Sequence, residues 1–303
     1  PDDLVISSLT VQNVLCYESA NGQITANVFG GTGSSYSYMW SNLQTTNPAV
    51  NLPANSGYFV TVTDSMGCSK LSSNQPITQP DSLHIDTITI THVSCNGGND
   101  GSAIPTVTGG TPSYTFSWSG GSNINLVANV VYTSTITDDN GCITSEDFIL
   151  TEPAALSISF GQVDSVTCLG GSDGEATATV TGGTVPYSLL WDDSSISNTV
   201  TTFDAGFHTL TVTDSKGCIL IDSIEILEPS HSIEIDSLII SEITCHGADN
   251  ASITVLATGG HPTNGTGWVY SNTNGLFTDT SIGFSNLSPN QYIMYVRDDR
   301  GCV

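Results

Sequence analysis

Eight cysteines are the residues of this chain best equipped for covalent chemistry, and they fall into two series. The first is Cys16, Cys95, Cys168 and Cys245. The second is Cys68, Cys142, Cys218 and Cys302, each closing an Asp-x-x-Gly-Cys pattern. Thiols even in number and fixed in place read as disulfides formed in an oxidising compartment. Pairing within each copy predicts Cys16–Cys68, Cys95–Cys142, Cys168–Cys218 and Cys245–Cys302. Each bond would close a loop of about 50 residues, worth roughly 4 kcal/mol in the chain-entropy model. Zinc would need Cys/His clusters at short spacing, such as C-x2-C, and the sequence has none.

Carboxylates supply the second chemistry. Twenty-nine Asp and Glu against four Lys and Arg give a net charge of −25. That sign repels nucleic-acid phosphates and anionic membrane surfaces. No apolar run reaches the 18 residues of a membrane span, so direct insertion is not expected. Calcium gathers carboxylates from flexible segments. Glu152, Asp164, Glu228 and Asp236, at and after two Glu-Pro junctions, are therefore candidate calcium ligands. The competing reading is that proline only fixes an extended linker, and the first junction is Gln79-Pro80. The aspartates of Asp-x-x-Gly read as turn residues that cap backbone N–H groups. Nucleophilic catalysis needs a Ser or Cys, a base and an orienting acid in one place. The six histidines occupy unrelated positions, so no enzyme is expected.

The elements that position these residues recur. The first-series cysteines are 79, 73 and 77 residues apart, and the single tryptophans Trp40, Trp118, Trp191 and Trp268 are 78, 73 and 77 apart. Gly-Gly pairs stand at 30–31, 109–110, 182–183 and 259–260. Such self-similarity marks a repeat protein. The repeats span 1–79, 80–152, 153–228 and 229–303, and the fourth lacks the final strand-like run of the others. The chain reads as a fragment of a longer array.

Strand alternation is strong and helical periodicity absent. In Glu175–Thr181, Ala176, Ala178 and Val180 share one face and threonines the other. The third repeat reads as seven strands, near 155–160, 163–168, 175–181, 187–191, 198–203, 207–213 and 218–227. The expected fold is all-β: four tandem immunoglobulin-like antiparallel sandwiches. Trp40, Trp118, Trp191 and Trp268 are expected in the cores, beside the disulfides, because a buried tryptophan packs against the inter-sheet disulfide in immunoglobulin domains.

Three motifs carry a family resemblance: Cys95-Asn-Gly-Gly-Asn-Asp-Gly-Ser102, the Thr-Val-Thr-Gly-Gly-Thr-Pro-x-Tyr-x-Phe-x-Trp run of 106–118, and the closing Thr-Val-Thr-Asp-x-x-Gly-Cys. Together they resemble the SprB repeat of gliding bacteria. The resemblance implies a large cell-surface adhesin filament exported by type 9 secretion. It also implies an extracellular, cell-surface location, with neighbouring repeats of the same chain as partners and surface polysaccharide or substratum as a further one. Asp-Ser/Thr-apolar triplets resemble the O-glycosylation acceptor of the bacteria that carry this repeat. That makes Ser65, Ser82, Thr87, Ser165, Ser223 and Ser237 candidates for modification. The rival reading is a carbohydrate-binding module. It would use Tyr36, Tyr38, Tyr114, Tyr187 or Trp268, with the His261–Gly267 insertion as the place to look.

Overall fold

The computed structural model describes residues 2–33, 35–260, 268–272 and 282–303. The His261–Gly267 insertion lies outside them. The described residues form strands, turns and loops and no helix. The chain divides into two compact units, Pro1–Glu152 and Pro153–Val303.

The third repeat shows the plan most plainly. Strands Ser157–Asp164, Gly174–Thr181 and Thr199–Phe203 make one antiparallel sheet. Strands Ser188–Trp191, Gly206–Thr213 and Ile219–Ile226 make the other. The alternation sets which side chains meet between them. Ala176, Ala178, Leu210 and Val212 are buried, and Trp191 and Phe203 join them at a ring separation of 5.0 Å. The sandwich has six strands, not seven. The runs 155–160 and 163–168 are one strand, with a register shift between Phe160 and Val163 where Gly161-Gln162 is accommodated. A bulge of that kind bends a strand without ending it.

Separate cores of the same kind lie in the other repeats. Trp40 and Trp191 are fully buried and donate from Nε1 to the carbonyls of Thr46 and Ser197. Trp118 and Trp268 are only half-buried. Trp118 meets Phe148 edge-on, and that ring stacks on Tyr132. Among the described residues, no cysteine belongs to the core clusters that hold these rings, which corrects the expectation from immunoglobulin domains.

Glycine closes one end of each of the first three cores. A Cβ on Gly22, Gly101 or Gly174 would strike the side chain of Ile77, Leu150 or Ile226, at or just past the end of the last strand. The fourth repeat has Ala251 there. Among the described residues no side chain takes the equivalent place. A cavity of about 390 Å³ remains, lined by Leu238, Ile253, Leu287, Tyr292 and Met294.

Candidate functional site

Each sandwich has two ends built from polar backbone contacts, and each end holds one cysteine. At the first end, Asp214 is buried with three backbone N–H groups around its carboxylate. Oδ1 accepts from Lys216 (2.8 Å) and Cys218 (2.9 Å), and Oδ2 accepts from Thr184 (2.8 Å). Thr184 follows the Gly-Gly pair. Gly183 has φ +56° and could not carry a side chain, since its Cβ would sit 2.8 Å from Asp214 Oδ2. The Tyr187 hydroxyl donates to the Gly182 carbonyl at 2.6 Å. Asp64 and Asp138 repeat the arrangement with Thr32 and Thr111, while Tyr36 and Tyr114 bond Gly30 and Gly109. Asp298 accepts from Arg300 and Cys302. The N–H groups of Thr32 and Cys68 hold the Asp64 carboxyl below the usual carboxylate range. Burial pushes Asp214 up, but the N–H groups of Cys218, Thr184, Lys216 and Gly217 outweigh it and the net shift is downward. The second-series cysteine is thus held at a fixed place on a tight turn.

The opposite end carries the first series. Here an Asp or Asn Oδ1 accepts one N–H. The bonds are Leu15 to Asn21 (3.0 Å), Ser94 to Asp100 (2.9 Å), Thr167 to Asp173 (2.8 Å) and Thr244 to Asn250 (3.2 Å). Only a neutral acceptor is needed, which explains the interchange of Asp and Asn. The junction residues do a similar task. Gln79 accepts from Glu18 (2.9 Å), Glu152 from Gly97 (2.6 Å) and Glu228 from Gly170 (3.2 Å). These donors stand two residues after Cys16, Cys95 and Cys168. Glutamine serves as well as glutamate because the bond uses an acceptor oxygen and not a charge. Glu152 and Glu228, two of the candidate calcium ligands, therefore tie their own repeat's first-series loop. Asp164 accepts from Gln162 at 2.7 Å, and Asp236 is exposed on a strand. Among the described residues no group of three His, Cys, Asp or Glu is gathered to hold a metal ion.

The two ends explain a correction. The expected pairs within repeats do not form. Cys16 is bonded to Cys142, with Cα atoms 5.7 Å apart, and Cys168 to Cys302 at 5.6 Å. Cys95 and Cys218 are also disulfide-bonded. Cys68 and Cys245 are free and exposed. The cause is geometric. Cys168 follows the first strand, and Cys218 stands where the Asp214 turn meets the far end of the second. An eight-residue strand puts roughly 25 Å between those ends, whereas a disulfide needs Cα atoms within about 7 Å. In the first unit the end of one repeat meets the start of the next. Asn140 donates from Nδ2 to the Leu15 carbonyl at 3.0 Å, and a crevice beside the bond is lined by Tyr17, Ser82, Leu83 and Ile143. In the second unit a crevice lined by Leu169, Ser230, His231 and Ser232 corresponds to it.

Ser65, Ser82, Thr87, Ser165, Ser223 and Ser237 are all exposed. Ser65 Oγ donates to the Thr32 carbonyl, and Thr87 Oγ1 pairs with Thr106 Oγ1. Tyr36, Tyr114 and Tyr187, three of the aromatics considered for sugar, are engaged by the Gly-Gly carbonyls described above. Sequence reasoning missed the bonding of Cys16 and of Cys168 into the repeat that follows each of them. The interchange of Gln79 with Glu152 and Glu228 hinted at the tied loop behind it.

The fold and its joints define a tandem array of immunoglobulin-like sandwiches cross-linked by disulfides. Within it, the SprB repeat family model matches residues 8–45, 87–123 and 161–195, so the chain carries three segments of SprB-repeat type. No curated protein matches the chain. Among solved structures, a tetra-tandem repeat from the extending region of a large adhesion protein is similar at 13% identity and TM-score 0.24, over 97% of this chain and 88% of that one. The N-terminal eight immunoglobulin domains of Down syndrome cell adhesion molecule are similar at 12% identity and TM-score 0.24, over 87% of this chain. The chain spans about half of that structure (48%). Extracellular domains 3–5 of Drosophila OTK are similar at 11% identity and TM-score 0.22, over 75% of this chain and 98% of that one.

Proposed function

We propose that this chain is a load-bearing segment of an extracellular adhesin filament, with the sandwiches 1–79, 80–152, 153–228 and 229–303 as its links. The SprB-type segments support an adhesin-like, non-enzymatic role. The disulfides support a location outside the reducing cytosol. A gliding-type cell-surface adhesin, secreted by the type 9 route and bearing sugars on its exposed serines, is the finer form of this reading.

The observation that carries the proposal is that Cys16–Cys142 and Cys168–Cys302 each join two successive repeats. A bond of this kind changes the path of tension. Force entering at residue 16 passes through the sulfurs to residue 142, and the 126 residue steps between them carry none of it along the backbone. The second bond removes 134 steps in the same way. A disulfide within one sandwich would shelter only about 50 steps. The arrangement suits a filament that must resist extension while its folded faces stay intact.

Single-molecule stretching from both termini tests this. A reduced chain of 303 residues should extend to roughly 1,000–1,100 Å at about 3.3–3.6 Å per residue. The oxidised chain, with only the residues outside the two bypasses free to extend, should stop near ~150 Å by the same rise. An oxidised chain that pays out most of the reduced length would contradict the load-bearing reading.

A further inference from the structure

The solvent face of the second repeat carries a side-chain cluster that the adhesin reading does not use. Strands His84–Thr91 and Gly101–Thr108 pair antiparallel, with His84 directly opposite Thr108. A register shift between Thr106 and Val107 leaves Asp86 as the extra residue of a bulge, and a bulge re-aims the side chain it carries. The result is a triangle of atoms that bear lone pairs. His84 Nε2, Asp86 Oδ1 and Thr108 Oγ1 lie 2.9 Å from one another along every edge.

The triangle holds too few hydrogens for its edges. His84 Nδ1 lies 3.1 Å from the Ser82 carbonyl. A carbonyl can only accept, so Nδ1 donates to it and the neutral ring presents a bare lone pair at Nε2. The Asp86 carboxylate brings no hydrogen. Thr108 brings one and donates it to Asp86. Nε2 and Oδ1 therefore face each other lone pair to lone pair, a place for a proton or a metal ion. A ring whose far nitrogen donates to a carbonyl is also how a metal-ligating imidazole is oriented. The fourth repeat gives a comparison within the chain. It has Glu234 opposite Thr258 and Asp236 at the bulge, but Glu234 accepts from Ser232 Oγ at 3.3 Å.

We propose that His84, Asp86 and Thr108 form a site for a six-coordinate divalent ion of the first transition row. Three ligands at right angles around one ion, each about 2.1 Å from it, lie roughly 3.0 Å apart, which matches the edges of the triangle. Tetrahedral ligation at the same distance would spread them to about 3.4 Å. Calcium takes oxygen ligands at about 2.3–2.6 Å, which would open the triangle and leave the imidazole unused. Imidazole suits transition ions such as nickel. The His84 side chain is 59% exposed, so the ion enters from solvent and water completes its shell. The inference stands on this triangle and not on the adhesin reading, and it can fail alone.

The test is calorimetric titration of the 303-residue chain with nickel(II), beside its H84Q, D86N, T108V and H208Q variants. The unaltered chain should bind one ion more tightly than any further ones. H84Q and D86N should each weaken that binding at least ~10-fold, about 1.4 kcal/mol. T108V should weaken it less, because it removes a neutral ligand, and H208Q should leave it unchanged. Nickel(II) is paramagnetic, so the amide resonances of Ile85 and Val107 should be among the first to broaden. Melting curves in a chelator should show the same cooperative transition for every variant, which certifies the fold. An affinity unchanged by H84Q would overturn the proposal, because other histidines and carboxylates would then be the binders. Displacement of nickel(II) by an equal concentration of calcium would overturn it equally.

Discussion

One carboxylate organises each Asp-x-x-Gly-Cys turn, and backbone N–H groups converge on it there. Asp214 accepts three N–H groups in a buried place, while Asn21 and Asn250 each accept a single backbone N–H at the surface. The folded-state pKa of Asp214 is depressed, as is that of Asp64. A depressed value contributes stability that is present above the unfolded pKa and is lost as pH falls through the folded one. Unfolding free energy should therefore change little with pH above about 5 and drop below about 4. Asp214→Asn should lower the melting temperature at neutral pH, because an amide NH2 would face the Thr184 N–H or the other two donors, and it should soften the acid drop. Melting curves from pH 2.5 to 7 check both. The turn role of this aspartate was legible from Asp-x-x-Gly. The tie of Glu152 to Gly97 was not, because the partners lie 55 residues apart and nothing local to either announces the other.

Strand faces were legible for a physical reason: period-two alternation is a local property, and Ala176, Ala178, Leu210 and Val212 point inward as the pattern requires. A bulge is less visible. Gly161-Gln162 looks like a break between two strands, yet the hydrogen-bonded ladder resumes at Val163 opposite Ala176. The glycine that opens the second strand shows how closely an element is fitted. A methyl group on Gly174 would lie 2.6 Å from Ile226 Cγ2 and 3.0 Å from the Phe203 carbonyl oxygen. Gly174→Ala should cost about 1–3 kcal/mol by overpacking, read from urea unfolding of the third sandwich. Ala251 stands at the same position of the fourth repeat beside open volume, so Ala251→Gly there should cost no more than about 1 kcal/mol, the backbone-entropy penalty of glycine in a strand.

At the scale of the molecule, sequence separation misleads about the cysteines. Cys16 and Cys68 are neighbours in the chain but belong to opposite ends of one sandwich. Cys16 and Cys142 are 126 residues apart and share a joint. Which end meets which follows from chain direction once the strands are placed, and no local motif encodes it. The repeat count and the SprB-type motifs were readable because they are written in every copy. The central claim is that the disulfides link successive sandwiches and do not staple single ones. Proteolysis of the native, alkylated chain followed by mass spectrometry without reduction tests it most directly. Peptides joining Cys16 to Cys142 and Cys168 to Cys302, with alkylated Cys68 and Cys245, are the predicted result. Peptides joining Cys16 to Cys68 or Cys245 to Cys302 would contradict it.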